Sequence, residues 1–196
     1  MRVAIVKYGA GNVRSVVNAL CRVGVEPVLT DDAETLRRAD RVVFPGQGEA
    51  RQAMSFLCER GLDEVIKSLT QPVLGICIGQ QLLCRHSDEG DVDCLGVFDA
   101  NVVRFCPARH EDKGPHMGWN QIKLCADNAL LTGVDGEYVY YVHSYNVPVC
   151  PDTIAVSEYI TPFSAAMHKG NFYATQFHHE KSGSVGEKIL QNFLAL

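Results

Sequence analysis

Short β-branched runs alternate with helical patterns through the first half of the chain. Val3–Val6 precedes an amphipathic stretch over Val13–Val23, and Pro27–Thr30 and Arg41–Phe44 read as extended. Helical material then runs from Glu49 to Leu69, broken at Gly61, before a strand over Val73–Ile76 and a helix reaching Leu83. Strands separated by helices predict a largely parallel α/β sheet, because consecutive parallel strands need a helical crossover. The second half differs: extended runs at Val102–Phe105, Gln121–Leu124, Tyr138–Val142, Thr153–Tyr159, Ser164–His168 and Phe172–Gln176 predict hairpins, some of them antiparallel. Ser184-Val-Gly-Glu187 reads as a capping box opening a last helix with Val185, Ile189, Leu190, Phe193 and Leu194 on one face.

With no repeat, low-complexity tract or linker, a single domain over 1–196 is expected. A chain 46% hydrophobic and 21% charged has the balance to bury one sizeable core. No apolar run approaches the roughly 20 residues of a membrane span, and "MRVAIVKYGAGN" shows neither a long apolar leader nor a cleavage site, so a cytoplasmic location is expected. The net charge of −5, with no Lys/Arg cluster beyond pairs such as Arg37–Arg38, argues against a nucleic-acid partner. Eight cysteines (21, 58, 77, 84, 94, 106, 125 and 150) form no Cys-x-x-Cys pair and lie in apolar stretches, as reduced, buried cysteines do. Neither a disulfide framework nor a zinc site is expected.

Gly75-Ile-Cys77-Ile-Gly79 stands where a buried strand gives way to a helix. Glycines weaken either element, so packing does not account for them. The layout is that of a nucleophile elbow, in which a strained turn lifts a reactive side chain clear of the sheet between small neighbours. The helix start favours a thiolate, and the N–H of Ile78 is free to face an oxyanion. The alternative is that Cys77 is one more small buried hydrophobe. A reactive cysteine wants a histidine and a carboxylate to orient it. His178 and Glu180, one residue apart at the end of a strand, supply that pair with both side chains on one side. His178, His179 and Glu180 with His116 or His143 also invite a metal reading, but no recognised ligand spacing is present and no metal is expected. Gly9-Ala-Gly11 lacks the third glycine of a dinucleotide fingerprint, because position 14 is Arg14. Phe44-Pro-Gly46-Gln-Gly48 follows a strand and is either a tight βα turn or a second source of oxyanion donors.

Taken together, these segments resemble the class I, or triad-type, glutamine amidotransferases over essentially the whole chain. "GICIGQQLL" and "QFHHEKS" carry the family resemblance. "YGAGN" at 8–12, "FPGQGEA" at 44–50, "PHMGWN" at 115–120 and "YYVHSYNVP" at 140–148 resemble those members that feed ammonia to a (βα)8 cyclase subunit in histidine biosynthesis. The resemblance implies a three-layer, flavodoxin-like α/β fold with an added antiparallel segment. It also implies a triad of Cys77, His178 and Glu180 that hydrolyses glutamine through a γ-glutamyl thioester, with no cofactor and no metal. Gly48 and Ile78 would form the oxyanion hole; Gln81, Glu89, Ser144 and Tyr145 would hold glutamine. Asn12, Met117, Trp119 and Lys181 would face the cyclase partner in a heterodimer; the alternative for Trp119 is a place in the core. Four positions depart from the family pattern: His179 stands where Pro is usual, Lys7 where an acid is common, Gln80 where Met is common, and Gln47 where Val is common. The competing readings are a glutaminase for a chorismate- or pyridoxal-phosphate-pathway synthase, a free-standing cysteine hydrolase, and a non-catalytic module of the same fold.

Overall fold

In the computed structural model, residues 1–9, 13–46, 48–107 and 114–196 are described. The first half runs β1 (Val3–Val6), α1 (Val13–Arg22), β2 (Val28–Thr30), α2 (Ala33–Arg38), β3 (Arg41–Phe44), α3 (Ala50–Glu59), α4 (Leu62–Lys67), β4 (Val73–Ile76) and α5 (Ile78–Leu82). The second half has β5 (His86–Ser87), β6 (Val92–Asp93), β7 (Asn101–Arg104), β8 (His116–Gln121), β9 (Lys123–Leu124), β10 (Tyr138–His143) and β11 (Tyr145–Asn146). It closes with β12 (Thr153–Tyr159), β13 (Thr161–Lys169), β14 (Phe172–Thr175) and α6 (Gly183–Ala195).

The main sheet has eight strands in the order β2-β1-β3-β4-β14-β13-β12-β9. Every pair from β2 to β14 is parallel, and every pair from β14 to β9 is antiparallel. Strand β1 is buried at every residue, as a parallel strand covered on both faces must be. Successive residues of the strands feed two cores. Ala4, Val6, Val42, Phe44 and Val73 meet Leu36, Leu57, Leu62, Ile66 and Leu82 of α2–α5 on one face. Val3, Ile5, Val43 and Leu74 meet Val16 and Leu20 of α1 and Ile189, Leu190 and Phe193 of α6 on the other. The result is the expected helix–sheet–helix arrangement.

Several local expectations change. The last helix is capped at Ser182 and already includes Ser184, so Ser184–Glu187 is no capping box. Ser182 Oγ instead donates to the His178 carbonyl at 2.6 Å and accepts from the Tyr140 N–H at 3.0 Å, tying the helix start to β10. The run expected at Gln121–Leu124 is divided: Gln121 ends β8, which begins at His116 and pairs with β10 along its whole length in a separate two-stranded sheet, whereas Lys123–Leu124 is β9 at the edge of the main sheet. The cysteines are all free, but Cys21, Cys58, Cys106 and Cys125 are exposed rather than buried. No described helix is long and apolar enough to cross a membrane.

Candidate active site

Three neighbouring parallel strands end beside one another and deliver the site. Phe44 is in register with Gly75, and Ile76 with Thr175, so the segments after β3, β4 and β14 share one sheet edge. Residues about a hundred positions apart are thereby brought together by strand pairing alone. Cys77 caps α5 with φ 55° and ψ −109°, and its N–H donates to the Thr175 carbonyl at 2.7 Å. A Cβ on Gly75 would lie 2.8 Å from Leu83 Cδ1, and one on Gly79 would collide with the Phe44 carbonyl. The glycines are clearance for the turn, as expected.

His178 Nδ1 lies 2.8 Å from Glu180 Oε1, both side chains almost fully buried. The pair does not sit on a strand, contrary to the period-2 expectation. β14 stops at Thr175; His178 is extended, and Glu180 lies in the 3₁₀ turn His179–Lys181 that follows it. The turn, rather than the pleat, brings imidazole and carboxylate together. Burial works against a charge on His178, but the nearby Cys77 sulfur and then Glu180 outweigh it and push the imidazole up to about 10. Burial likewise opposes a charge on Glu180, yet His178 holds its carboxyl below the usual range. His178 Nε2 is buried without a partner that meets hydrogen-bond geometry. Looseness of this kind before substrate arrives is common among catalytic groups.

A cleft of about 450 Å³ opens over this edge, and Cys77, Ile78, Gln81, Glu89, Ser144, Tyr145, Gly48 and Lys181 all line it. As first residue of α5, Ile78 has no intrahelical acceptor for its N–H. Gly46 and Gly48 flank Gln47, which lies outside the described residues, as does Asn12. Glu89 Oε2 accepts from the Ala50 N–H at 3.1 Å, and burial raises its carboxyl above the usual value. Met117 and Trp119 are exposed on β8, so Trp119 is not a core residue; Lys181 Nζ sits 5.6 Å from the centre of the Tyr140 ring.

Two residues of the site, Gln176 and His143, were not expected as parts of a cysteine centre. Gln176 Nε2 approaches Cys77 Sγ at 3.7 Å, and His143 lines the cleft. The signal for Gln176 was its place just before Phe177-His178 at the end of a strand. Tyr8, just before Gly9, is buried and donates to the Pro45 carbonyl, which ties the end of β1 to the segment after β3. His179 is almost fully buried and neither ring nitrogen has a partner. Among the described residues, no group of three or more His, Cys, Asp or Glu side chains is placed to hold a metal ion.

Residues 4–196 match the family model described as glutamine amidotransferase class-I. An imidazole glycerol phosphate synthase subunit HisH from Bacteroides thetaiotaomicron is 60% identical over 196 residues, covering 100% of both chains. The HisH subunit of Escherichia coli K12 is 47% identical over 201 residues, again with 100% of each covered. Among solved structures, a putative GMP synthase protein from Thermoplasma acidophilum superposes with a TM-score of 0.76 at 22% identity, covering 100% of this chain and 92% of that one. A second, described as a glutamine amidotransferase, has a TM-score of 0.75 at 18% identity, covering 98% and 97%.

Proposed function

The chain belongs to the class-I glutamine amidotransferase family, and from that premise we propose that it is the glutaminase subunit of an imidazole glycerol phosphate synthase, working in the cytoplasm beside a (βα)8 cyclase subunit. The relatives that match it from end to end carry that name. The observation that carries the chemistry is the strained Cys77 at the head of α5, next to a buried His178–Glu180 pair in one cleft.

In this reading the Cys77 thiolate attacks the side-chain amide carbon of glutamine. The carbonyl oxygen gains charge and is held by the N–H groups of Ile78 and Gly48. His178, kept protonated and oriented by Glu180, gives its proton to the departing nitrogen, so ammonia leaves and a γ-glutamyl thioester remains. His178 is then neutral and takes a proton from water, which attacks the thioester; glutamate is released and the thiolate returns. Gln81, Glu89, Ser144 and Tyr145 line the cleft where the substrate's amino acid end would lie. The exposed Met117 and Trp119 on β8 offer an apolar surface to the cyclase, and ammonia passing directly into that partner escapes protonation by solvent.

Purified alone, the protein should release glutamate slowly from glutamine, and addition of the cyclase with its nucleotide ligand should raise the rate strongly. Equal rates with and without the partner would favour a free-standing hydrolase. Cys77→Ala should abolish turnover while leaving the thermal melt nearly unchanged; retained ammonia release would remove Cys77 from the reaction.

A further inference from the structure

Along the wall of the cleft, an unbroken series of hydrogen bonds joins β8 to the Cys77 sulfur. Asn120 Nδ2 lies 3.3 Å from His116 Nε2, His116 Nδ1 lies 3.0 Å from His143 Nε2, and His143 Nδ1 lies 2.7 Å from the Tyr145 carbonyl. Gln81 Nε2 donates to that same carbonyl at 3.0 Å and to Gln176 Oε1 at 3.0 Å, and Gln176 Nε2 reaches Cys77 Sγ at 3.7 Å. His116, His143, Gln81 and Gln176 are all buried.

Both ends of the histidine pair are chemically fixed. The Tyr145 carbonyl can only accept, so His143 Nδ1 carries the hydrogen. At the other end Asn120 Oδ1 accepts from the Gln121 N–H at 2.8 Å, and its Nδ2 also donates to the Glu158 carbonyl at 2.9 Å. The amide is therefore turned with its donor toward His116 Nε2. An acceptor at one end and a donor at the other leave one arrangement, two neutral rings each in a single tautomer, with His116 donating to His143. Burial favours the same neutral forms, pushing His116 down to about 4 and His143 to about 3. His116 cannot swing away, because it is stacked between Tyr141 and Tyr159 at ring-centre distances of 4.7 and 4.1 Å.

The same logic runs on toward the nucleophile. The Tyr145 carbonyl and Gln176 Oε1 take both hydrogens of the Gln81 amide, leaving only its oxygen to turn to a ligand. Gln176, having given its oxygen to Gln81, presents its N–H to the sulfur. We propose that His143, backed by His116, is a positioning residue for glutamine hydrolysis: it fixes the Tyr145 carbonyl that turns Gln81 and, through Gln176, sets a donor against the Cys77 sulfur. The proposal rests on the glutaminase reading above, and it gives Gln81 a defined task, to present an acceptor to a donor group of the substrate. In buried surroundings of low dielectric such a chain holds its direction strongly.

The test compares His143→Leu, which removes the donor, with His143→Asn, whose Nδ2 can replace the ring Nδ1 in the bond to Tyr145. Two quantities are measured on the complex with the cyclase: KM and kcat for glutamine, and the rate at which iodoacetamide modifies Cys77 at pH 7.5, followed on the Cys77 peptide by mass spectrometry. We expect His143→Leu to raise KM at least tenfold and slow alkylation at least threefold, with kcat less affected than KM, and His143→Asn to restore both to within threefold of the parent. His116→Phe, which keeps the ring stack, should move both in the same direction and carries the test if His143→Leu does not fold. Unchanged KM and alkylation in His143→Leu, or an Asn variant no better than Leu, would overturn the proposal. Alkylation needs no glutamine, so it still decides the positioning claim should the parent protein fail to hydrolyse glutamine.

Discussion

At Cys77 the backbone holds a conformation that costs of order 1–3 kcal/mol for a residue bearing a Cβ. It persists because the N–H is tied to Thr175 and because Gly75 and Gly79 let Leu83 and Phe44 close in around the turn. The turn exposes a sulfur at the cleft while keeping the rest of the residue packed. Its counterpart, His178, depends on Glu180, since only a carboxylate at 2.8 Å both selects the Nδ1–H form and favours the charged ring. Glu180→Gln keeps the size of the side chain but lets the amide offer its nitrogen to the ring, favouring the wrong tautomer. It is expected to lower kcat for glutamine hydrolysis about 10²–10⁴-fold with KM changed little. Steady-state kinetics on the complex with the cyclase check this, and a fall confined to KM would assign Glu180 to substrate binding.

At the scale of elements, the 3₁₀ turn after β14 is both the support of the His178–Glu180 pair and its least satisfied part. His179 occupies the first position of that turn, with an unpartnered ring packed against Phe177 at 5.1 Å. An N–H at that position has no acceptor within the turn, and His178 before it is already extended at φ −96° and ψ 109°, as the residue preceding a proline must be. His179→Pro therefore fits the backbone as it stands and removes two orphaned polar atoms. The expected gain is about 1 kcal/mol, read as a higher urea midpoint with turnover within threefold of the parent. A lower midpoint would mean that the imidazole fills its pocket better than its missing bonds harm it. Strand β8 makes the complementary point. His116-Met-Gly-Trp-Asn has a weak strand pattern with a glycine at its centre, and it is extended because all six residues of β8 pair with β10. Tertiary pairing here overrides local preference.

For the molecule as a whole, three buried histidines set the acid limit of stability. Burial holds His116 and His179 at about 4 and His143 at about 3, against 6.5 for an exposed ring. Below pH 6.5 the unfolded chain binds protons that these three native rings refuse, so their contribution to stability is full above that value and falls as the pH drops toward 4. Each histidine contributes a slope of about 1.4 kcal/mol per pH unit within the window. Urea unfolding measured between pH 7 and 5 should show this loss before the carboxylates titrate, and His179→Pro should reduce the slope by about one histidine's share. A flat profile down to pH 5 would show that the rings already take up protons in the native state.

The order of strands and helices in the first half was legible in the chain, because β-branched runs of period two and helical runs of period 3.6 are local properties. Cys77 between its glycines was legible for the same reason, as the backbone needed at an elbow restricts which residues can form it. So was the proximity of His178 and Glu180, though a turn rather than a strand creates it. What the sequence could not state is which strand edge lies beside which. Parallel pairing of β3, β4 and β14 brings Gly46, Gly48, Cys77 and Gln176–His178 to one edge. The His116–His143–Tyr145–Gln81–Gln176 series likewise exists only once four separate stretches of chain have packed. Local chemistry was written in single residues, whereas the polar network depends on hydrogen bonds between residues distant in the chain, and those distances are set only when the sheet and its cores close.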